Sequence, residues 1–307
     1  MSTFCMMKMF TSYVVFFIVW IFLSLSSFSF FTMKYKLEIM WYIFMSLLVS
    51  NQSLYLKSKG FMYFVVHICS SSLLLYSISF LKDSTWFDFL IFVSLYVKMG
   101  GYPVSMWMFK FVENLSWKEF YFFLSLVKVI PLSFFIMITP LMEKLAFFLS
   151  LSSIGMIHVF RSDSVRQAIL ASSMVNMSWI LVALKFDIKI GIIFFVMYFF
   201  WLFFMLFLWK GLGSSFSSMT MSSNSKQTMI IFFFFFFMLM GMPPTTGFFL
   251  KIIILEMLLK NSFFVESFLL FILSFIPIFI YLKFLVNYFF IFYYMKSSLN
   301  LFLFYLY

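Results

Sequence analysis

Apolar residues along this chain neither alternate nor form a stripe; they run together in blocks of about twenty, broken by short clusters of serine, asparagine and single charges. A bilayer core about 30 Å thick selects that length, because every backbone amide in hydrocarbon must be bonded within its own segment. The first blocks are 10–26, after Lys8, then 30–50 and 61–81, with a polar turn expected over 51–60 at Lys57 and Lys59. The first has no small-residue cleavage site and the next follows at once, so it reads as a retained helix rather than a signal peptide. The run 86–99 is too short to cross and meets Gly100-Gly101-Tyr102-Pro103, after which 104–112 continues the pattern. Glycine loosens the backbone and proline removes an amide donor, so this is a span broken inside the membrane.

Ser116-x-x-Glu119 reads as a capping box opening a fifth span, 117–139, and 141–160 makes a sixth. Ser164-x-x-Gln167 reads as a second box, capping a span that runs to Leu184, and 188–209 is an eighth, extremely apolar helix. Beyond a serine-rich loop, 211–225, the runs 228–240 and 248–259 are each too short alone and flank Gly241-Met242-Pro243-Pro244-Thr245-Thr246-Gly247, a second broken span. A long helix over 263–295, with a kink expected at Pro277, makes the tenth crossing, and 299–307 is too short to span. The expected fold is an all-α polytopic transmembrane helix bundle of about ten spans. It forms one integral membrane domain over 1–307, with discontinuous helices near 86–112 and 228–259 and a tail over 296–307.

Composition closes off other classes. With 65% hydrophobic and 10% charged residues and a mean hydropathy of +1.10, the chain lacks the polar residues to coat a water-soluble globule. Its net charge of +11 comes from basic residues scattered singly between apolar runs, which reads as interfacial anchoring and not as a nucleic-acid surface. The basic residues are weakly biased toward the side that would hold both termini. Two cysteines, Cys5 and Cys69, are too few for an iron–sulfur cluster, and His67 and His158, single histidines on apolar helices, read as packed residues and not as haem ligands. The one Gly-x-Gly, at Gly211 and Gly213, has no third glycine and no strand before it, so nucleotide binding has no support.

Charge at membrane depth is the informative feature. Glu38, Lys98, Lys128 and Lys251 all fall well inside expected spans, where an ionisable group costs several kcal/mol unless paired or hydrated. Burial disfavours the charged amine and a nearby carboxylate or water restores it, which makes such a lysine a switchable proton site. Lys98 stands just before the first break and Lys251 just after the second, where unsatisfied backbone groups can stabilise charge. Two breaks, each beside a lysine, point to two related halves, as in an inverted repeat. Bland readings stand beside these: Lys34 lies one turn from Glu38, so that pair could be an interfacial anchor, and Glu256 with Lys260 reads as a solvated i, i+4 pair. Lys110 and Glu113, on the short helix after the first break, could be surface or relay, and core packing is the expected role of His67.

Four segments, in order, resemble the antiporter-like subunits of respiratory complex I. Lys98-Met99-Gly100-Gly101-Tyr102-Pro103-Val104-Ser105-Met106-Trp107 is similar to that family's Lys-x-Gly-x-x-Pro-Phe-His-x-Trp. Lys128-Val129-Ile130-Pro131 resembles its Lys-x-x-Pro, Arg166-Gln167-Ala168-Ile169-Leu170-Ala171-Ser172-Ser173 its Arg-Lys-x-x-Ala-Tyr-Ser-Ser stretch, and Gly241 to Lys251 its Gly-x-Pro-Pro-x-x-Gly-Phe-x-x-Lys. The resemblance implies a proton-translocating membrane subunit in which Glu38, Lys98, Lys128 and Lys251 are the proton-channel residues. It also implies a hetero-oligomer with other membrane subunits and lipid in the mitochondrial inner membrane. No cofactor is expected on this chain, and NADH, FMN, iron–sulfur clusters and ubiquinone are expected elsewhere in the complex. The chain departs from the family at Ser105, where a histidine is usual, at Ala171, where the tyrosine is absent, at Phe109-Lys110, where Pro-Glu is usual, and at Asn176, where a histidine is usual. Two other classes remain open, a stand-alone cation/proton antiporter and a purely structural assembly subunit. The first would ordinarily need a carboxylate at a break, where this chain has lysine.

Overall fold

The computed structural model describes residues 19, 29–50, 54–79, 85–101, 106–113, 115–138, 164–210, 234–235, 237–243 and 245–304. Helix and short turns account for all of these, with no strand among them. The helices are α1 (Phe30–Ser50), α2 (Leu54–Ser79), α3 (Thr85–Met99), α4 (Met106–Val112), α5 (Trp117–Leu124), α6 (Leu126–Ile138), α7 (Val165–Phe186), α8 (Ile188–Lys210), α9 (Thr246–Lys260) and α10 (Phe264–Phe304). Among the described residues five stretches are long and apolar enough to cross a membrane: Gly60–Ser79, Trp117–Met137, Val165–Phe186, Ile188–Met205 and Phe264–Lys283. The 21-residue α1 is equally long but carries Lys34, Lys36 and Glu38. The two expected broken spans are indeed interrupted, between α3 and α4 and again before α9. The expected first and sixth spans (10–26 and 141–160), the serine-rich loop, Cys5 and His158 lie outside the described residues.

Helix α7 is the centre of the bundle. Every residue from Ala168 to Leu184 is buried, and the helix packs against α4, α6, α8, α9 and α10. Its sequence explains that position: Ala168, Ala171, Ser172, Ser173, Ser178 and Ala183 are small enough to let neighbouring backbones approach, which is how helices associate where lipid gives no hydrophobic drive. Around it, α1 packs on α2 and α6, α2 on α3 and α4, and α9 lies between α8 and α10. On α1 the buried apolar set Met33, Leu37, Met40, Trp41, Phe44 and Leu48 recurs at helical spacing, while Phe31, Tyr35, Ile39 and Tyr42 on the opposite face are exposed. Large apolar side chains are likewise exposed on α2, α8 and α10, among them Phe61, Met62, Ile193, Val196, Phe200, Phe264, Val265 and Phe268. Such faces suit acyl chains or neighbouring helices and not water.

Local chemistry corrects several expectations. The polar turn over 51–60 is shorter than its composition suggests, because Leu54 to Gly60 already belong to α2; lysine and leucine are good helix formers, so the helix overshoots the apolar block. The fifth span is distorted at Ser125, whose amide and hydroxyl both bond Tyr121 O (2.9 and 2.5 Å). Pro131 lies six residues on and removes one amide from the same ladder. Ser116 forms the predicted capping box, accepting from the Glu119 amide at 3.4 Å while Glu119 Oε2 accepts from the Ser116 amide at 2.8 Å. Ser164 does not: its hydroxyl makes no cap, and the Gln167 side chain gives its amide to Glu113 Oε1 at 2.6 Å instead of returning to Ser164. The last helix continues through 299–304 as part of one 41-residue element containing Pro277.

The two serine caps yield a paired test. Ser116→Ala is expected to lower the thermal stability of the protein by about 1 kcal/mol, and Ser164→Ala by less than about 0.5 kcal/mol. Equal losses in thermal unfolding would contradict the assignment.

Candidate functional site

Both breaks end their first half-helix in the same way. At the first, Gly100 donates to Val97 O (3.0 Å) and Gly101 to Tyr96 O (2.9 Å), with Gly100 at φ +89°. At the second, Gly241 donates to Met238 O (3.2 Å) and Met242 to Phe237 O (3.3 Å), with Gly241 at φ +69°. This is the Schellman arrangement, in which a left-handed residue just past the helix turns the chain aside and leaves the last two carbonyls without amide partners.

At the second break, side chains fill both. Leu239 O accepts from Asn176 Nδ2 at 3.0 Å and Met240 O from Lys251 Nζ at 2.7 Å. A helix carboxyl end carries partial negative charge, so an ammonium is favoured there and the bond is short. Lys251 is only 5% exposed and its Nζ also stands 5.9 Å from the centre of the Trp179 ring, within cation–π range. Gly241 is needed for space as well as conformation: a Cβ on it would meet Lys251 Nζ at 3.0 Å and the Gly247 carbonyl carbon at 3.3 Å. The spacing of glycines and lysine in this segment is therefore the footprint of an amine laid across a helix end.

Lys128, also 5% exposed, projects from α6 to α7, where its Nζ donates to Ser173 Oγ at 3.3 Å. The Ser173 hydroxyl donates in turn to Leu170 O at 2.5 Å. Lys128 sits three residues beyond the Ser125 distortion and three before Pro131, and its own amide bonds Ser125 O in a tightened turn (3.0 Å). Ser172, next on α7, accepts from the Tyr281 hydroxyl of α10 at 2.6 Å. Tyr198, on α8, places a buried hydroxyl beside Ser173 and in electrostatic contact with Tyr281, without full hydrogen-bond geometry to a partner among the described residues.

Glu38 and Lys98 form a second group. Lys34 Nζ is 3.0 Å from Glu38 Oε1, with the two side chains 4% and 26% exposed, so the pair faces inward at its lysine end. Lys98 feels both charges, yet its buried Nζ has no hydrogen-bond partner among the described residues. His67 lies within electrostatic reach of Lys98 but stacks on the Trp41 ring at 4.4 Å, the packed role expected of it. Helices α3 and α6, which carry Lys98 and Lys128, are in contact.

Other charged residues stay outside these groups. Glu113 is exposed at the end of α4, where its backbone carbonyl accepts from Arg166 and its carboxylate from Gln167; with Arg166 4.3 Å above the Trp117 ring, this ties α4 to the start of α7. Glu256 and Lys260 are exposed, as expected, but do not pair with each other. Sequence reasoning missed the tyrosines. Tyr198 had a readable signal, being the single hydroxyl in the 23-residue α8; Tyr281 stands in a helix with several polar residues and had none.

Two substitutions probe this geometry. Gly241→Ala forces a left-handed Cβ against the Lys251 amine and is expected to cost at least about 1–2 kcal/mol, while Gly60→Ala, where a Cβ meets nothing within 4 Å, is expected to stabilise by up to about 1 kcal/mol. Thermal unfolding of the two variants checks this; equal midpoints would refute it. Glu38→Gln strands Lys34 and should destabilise by roughly 2 kcal/mol, discounted because a quarter of Glu38 is exposed, whereas adding Lys34→Met recovers most of the loss. No recovery in the double variant would show that the pair is not the interaction lost.

Residues 82–277 match the family described as NADH:quinone oxidoreductase/Mrp antiporter, TM. NADH-ubiquinone oxidoreductase chain 2 of Apis mellifera ligustica is 29% identical over 105 residues, 32% of this chain and 31% of that protein. The chain 2 protein of Mytilus edulis is 30% identical over 127 residues, 41% and 40% of the two. The chain thus spans less than half the length of each of these relatives. A chain of respiratory complex I from Thermus thermophilus superimposes with a TM-score of 0.78 at 15% identity, covering 88% of this chain and 68% of that one. A chain of the Mrp complex from a Dietzia species does so at 0.72 and 15%, covering 82% and 55%. These likenesses fall on the bundle that holds the buried lysines, and the chain belongs to the NADH:quinone oxidoreductase/Mrp antiporter transmembrane family.

Proposed function

We propose that this chain is a proton-translocating, antiporter-like membrane subunit of respiratory complex I, corresponding to its second chain and residing in the mitochondrial inner membrane. The observation that carries the reading is Lys128: an amine 5% exposed, in a bundle built for lipid, hydrogen-bonded to one serine and paired with no carboxylate among the described residues. A charge at such depth is costly and persists where transport needs it. Glu38, Lys98, Lys128 and Lys251 are the proton-carrying residues of this reading. Three arrangements support it: the electrostatic contact of Glu38 with Lys98, the contact of α3 with α6, and the hydrogen bond from Lys128 to Ser173 that joins α6 to α7.

The chain would hold and pass protons while redox chemistry on NADH, FMN, iron–sulfur clusters and ubiquinone takes place in other subunits. A change of charge at the Glu38 end alters the energy of the Lys98 ammonium by Coulomb interaction, which is strong where little water screens it. Lys98 in turn acts on Lys128, and Lys128 on Lys251, so charge displacement at one end moves a proton at the other. The exposed apolar faces of α2, α8 and α10 are the surfaces for lipid and for neighbouring subunits of the hetero-oligomer.

Lys128→Met preserves length and apolar packing. It is expected to leave the assembled complex intact on blue-native electrophoresis, migrating with NADH dehydrogenase activity, while lowering proton pumping coupled to quinone reduction by at least about tenfold. Full pumping and quinone reduction in an assembled Lys128→Met complex would overturn the proposal, as would migration of the chain apart from that activity.

A further inference from the structure

Among the described residues no hydrogen bond joins Lys128 to Lys251, and beside Lys251 lies a small pocket of definite composition. It has a volume of about 10 Å³ and is lined by Lys251, Asn176, Tyr198, Trp201, Gly241 and Gly247, among others. That volume is close to what one water molecule occupies when measured by its centre, and a buried water is held by two to four polar partners. Lys251 Nζ spends one of its three donors on Met240 O. Tyr198, its side chain 3% exposed, is one of the lining residues, and its hydroxyl meets no partner at full hydrogen-bond geometry among the described residues. A buried hydroxyl left unbonded costs about 1–3 kcal/mol, so a polar partner in that space is favoured. On its other side the same hydroxyl lies next to Ser173, which already accepts from Lys128. Asn176 does not complete the link itself, because its Nδ2 is committed to Leu239 O and an amide does not exchange protons as an imidazole does.

We propose that Tyr198 is a proton-relay residue in this chain, joining the Lys128–Ser173 hydrogen bond to Lys251 through a single water held in the cavity against the broken helix end. The proposal rests on the proton-translocating reading above and adds the route. One transfer proceeds by exchange along the row. The Ser173 hydroxyl first turns from Leu170 O toward the Tyr198 oxygen, and the Lys128 ammonium then gives a proton to Ser173 Oγ as Ser173 gives its own to Tyr198. Tyr198 gives its own to the water, and the water gives one to the Lys251 amine. Each oxygen gains one proton as it loses one; the net change is one proton from Lys128 to Lys251, with no charge left on any hydroxyl. Tyr281, bonded to Ser172 and near Tyr198, steadies the row from α10 without standing in it.

Tyr198→Phe removes one oxygen and keeps the ring. In the assembled complex in its own membranes it is expected to lower coupled proton pumping by about tenfold and to change the ratio of rates in H₂O and D₂O, with assembly unchanged. Lys128→Met is measured beside it. Full pumping in Tyr198→Phe while Lys128→Met has lost it would overturn the relay and leave the proton-translocating reading standing; full pumping in both would overturn that reading. A second measurement is independent of the variant's folding: a density map of the wild-type complex should show one water within hydrogen-bond distance of both the Tyr198 hydroxyl and Lys251 Nζ. A dry cavity, or a Tyr198 hydroxyl bonded elsewhere, would overturn the relay.

Discussion

An amine in hydrocarbon must be given oxygen, and a straight helix has none to give because its carbonyls are already engaged. The bundle meets that constraint by damaging its own helices at chosen places. Gly241 stops one helix and frees Met240 O for Lys251; Ser125 and Pro131 loosen the ladder on either side of Lys128; Gly100 stops another helix two residues after Lys98. Ionisable groups and helix irregularities are thus the same feature seen twice, once as charge and once as backbone.

Energetics and geometry agree on the division of the bundle. Lys34, Glu38 and Lys98 make one group, held by direct ion pairing and longer-range charge. Lys128, Ser173, Tyr198 and Lys251 make the other, held by hydroxyls and backbone oxygen with no carboxylate in it. A carboxylate group tied to Lys34 can transmit a change in field, whereas a row of neutral hydroxyls can transmit only a proton. In the proposed reading all four residues lie on one axis, and their partners would divide that axis into two physical media.

Much of this was legible from the residues. Block length gave the helices, and Gly and Pro gave the breaks, because both signals act locally on the backbone. The capping box at Ser116 followed its pattern, whereas at Ser164 the Gln167 side chain that would complete the box bonds Glu113, 54 residues earlier. The interior lysines announced themselves by cost alone. What pattern could not supply was the identity of their partners: Lys251 bonds a carbonyl eleven residues earlier and Lys128 a serine forty-five residues later, and no periodicity encodes such meetings. Tyr198 was readable as the one hydroxyl in an apolar helix, but its neighbours Ser173 and Lys251 lie on other helices and only the fold brings them beside it.

Helix α7 carries Ser172, Ser173 and Asn176 and is enclosed on every side over seventeen consecutive residues, 168–184. An element so confined has no room to tilt, slide or rotate without repacking five neighbours. Whatever switches inside it must therefore do so by swinging single O–H bonds, an event of picoseconds to nanoseconds that leaves the heavy atoms where they were. The centre of this machine would look motionless to any method that sees only carbon, nitrogen and oxygen.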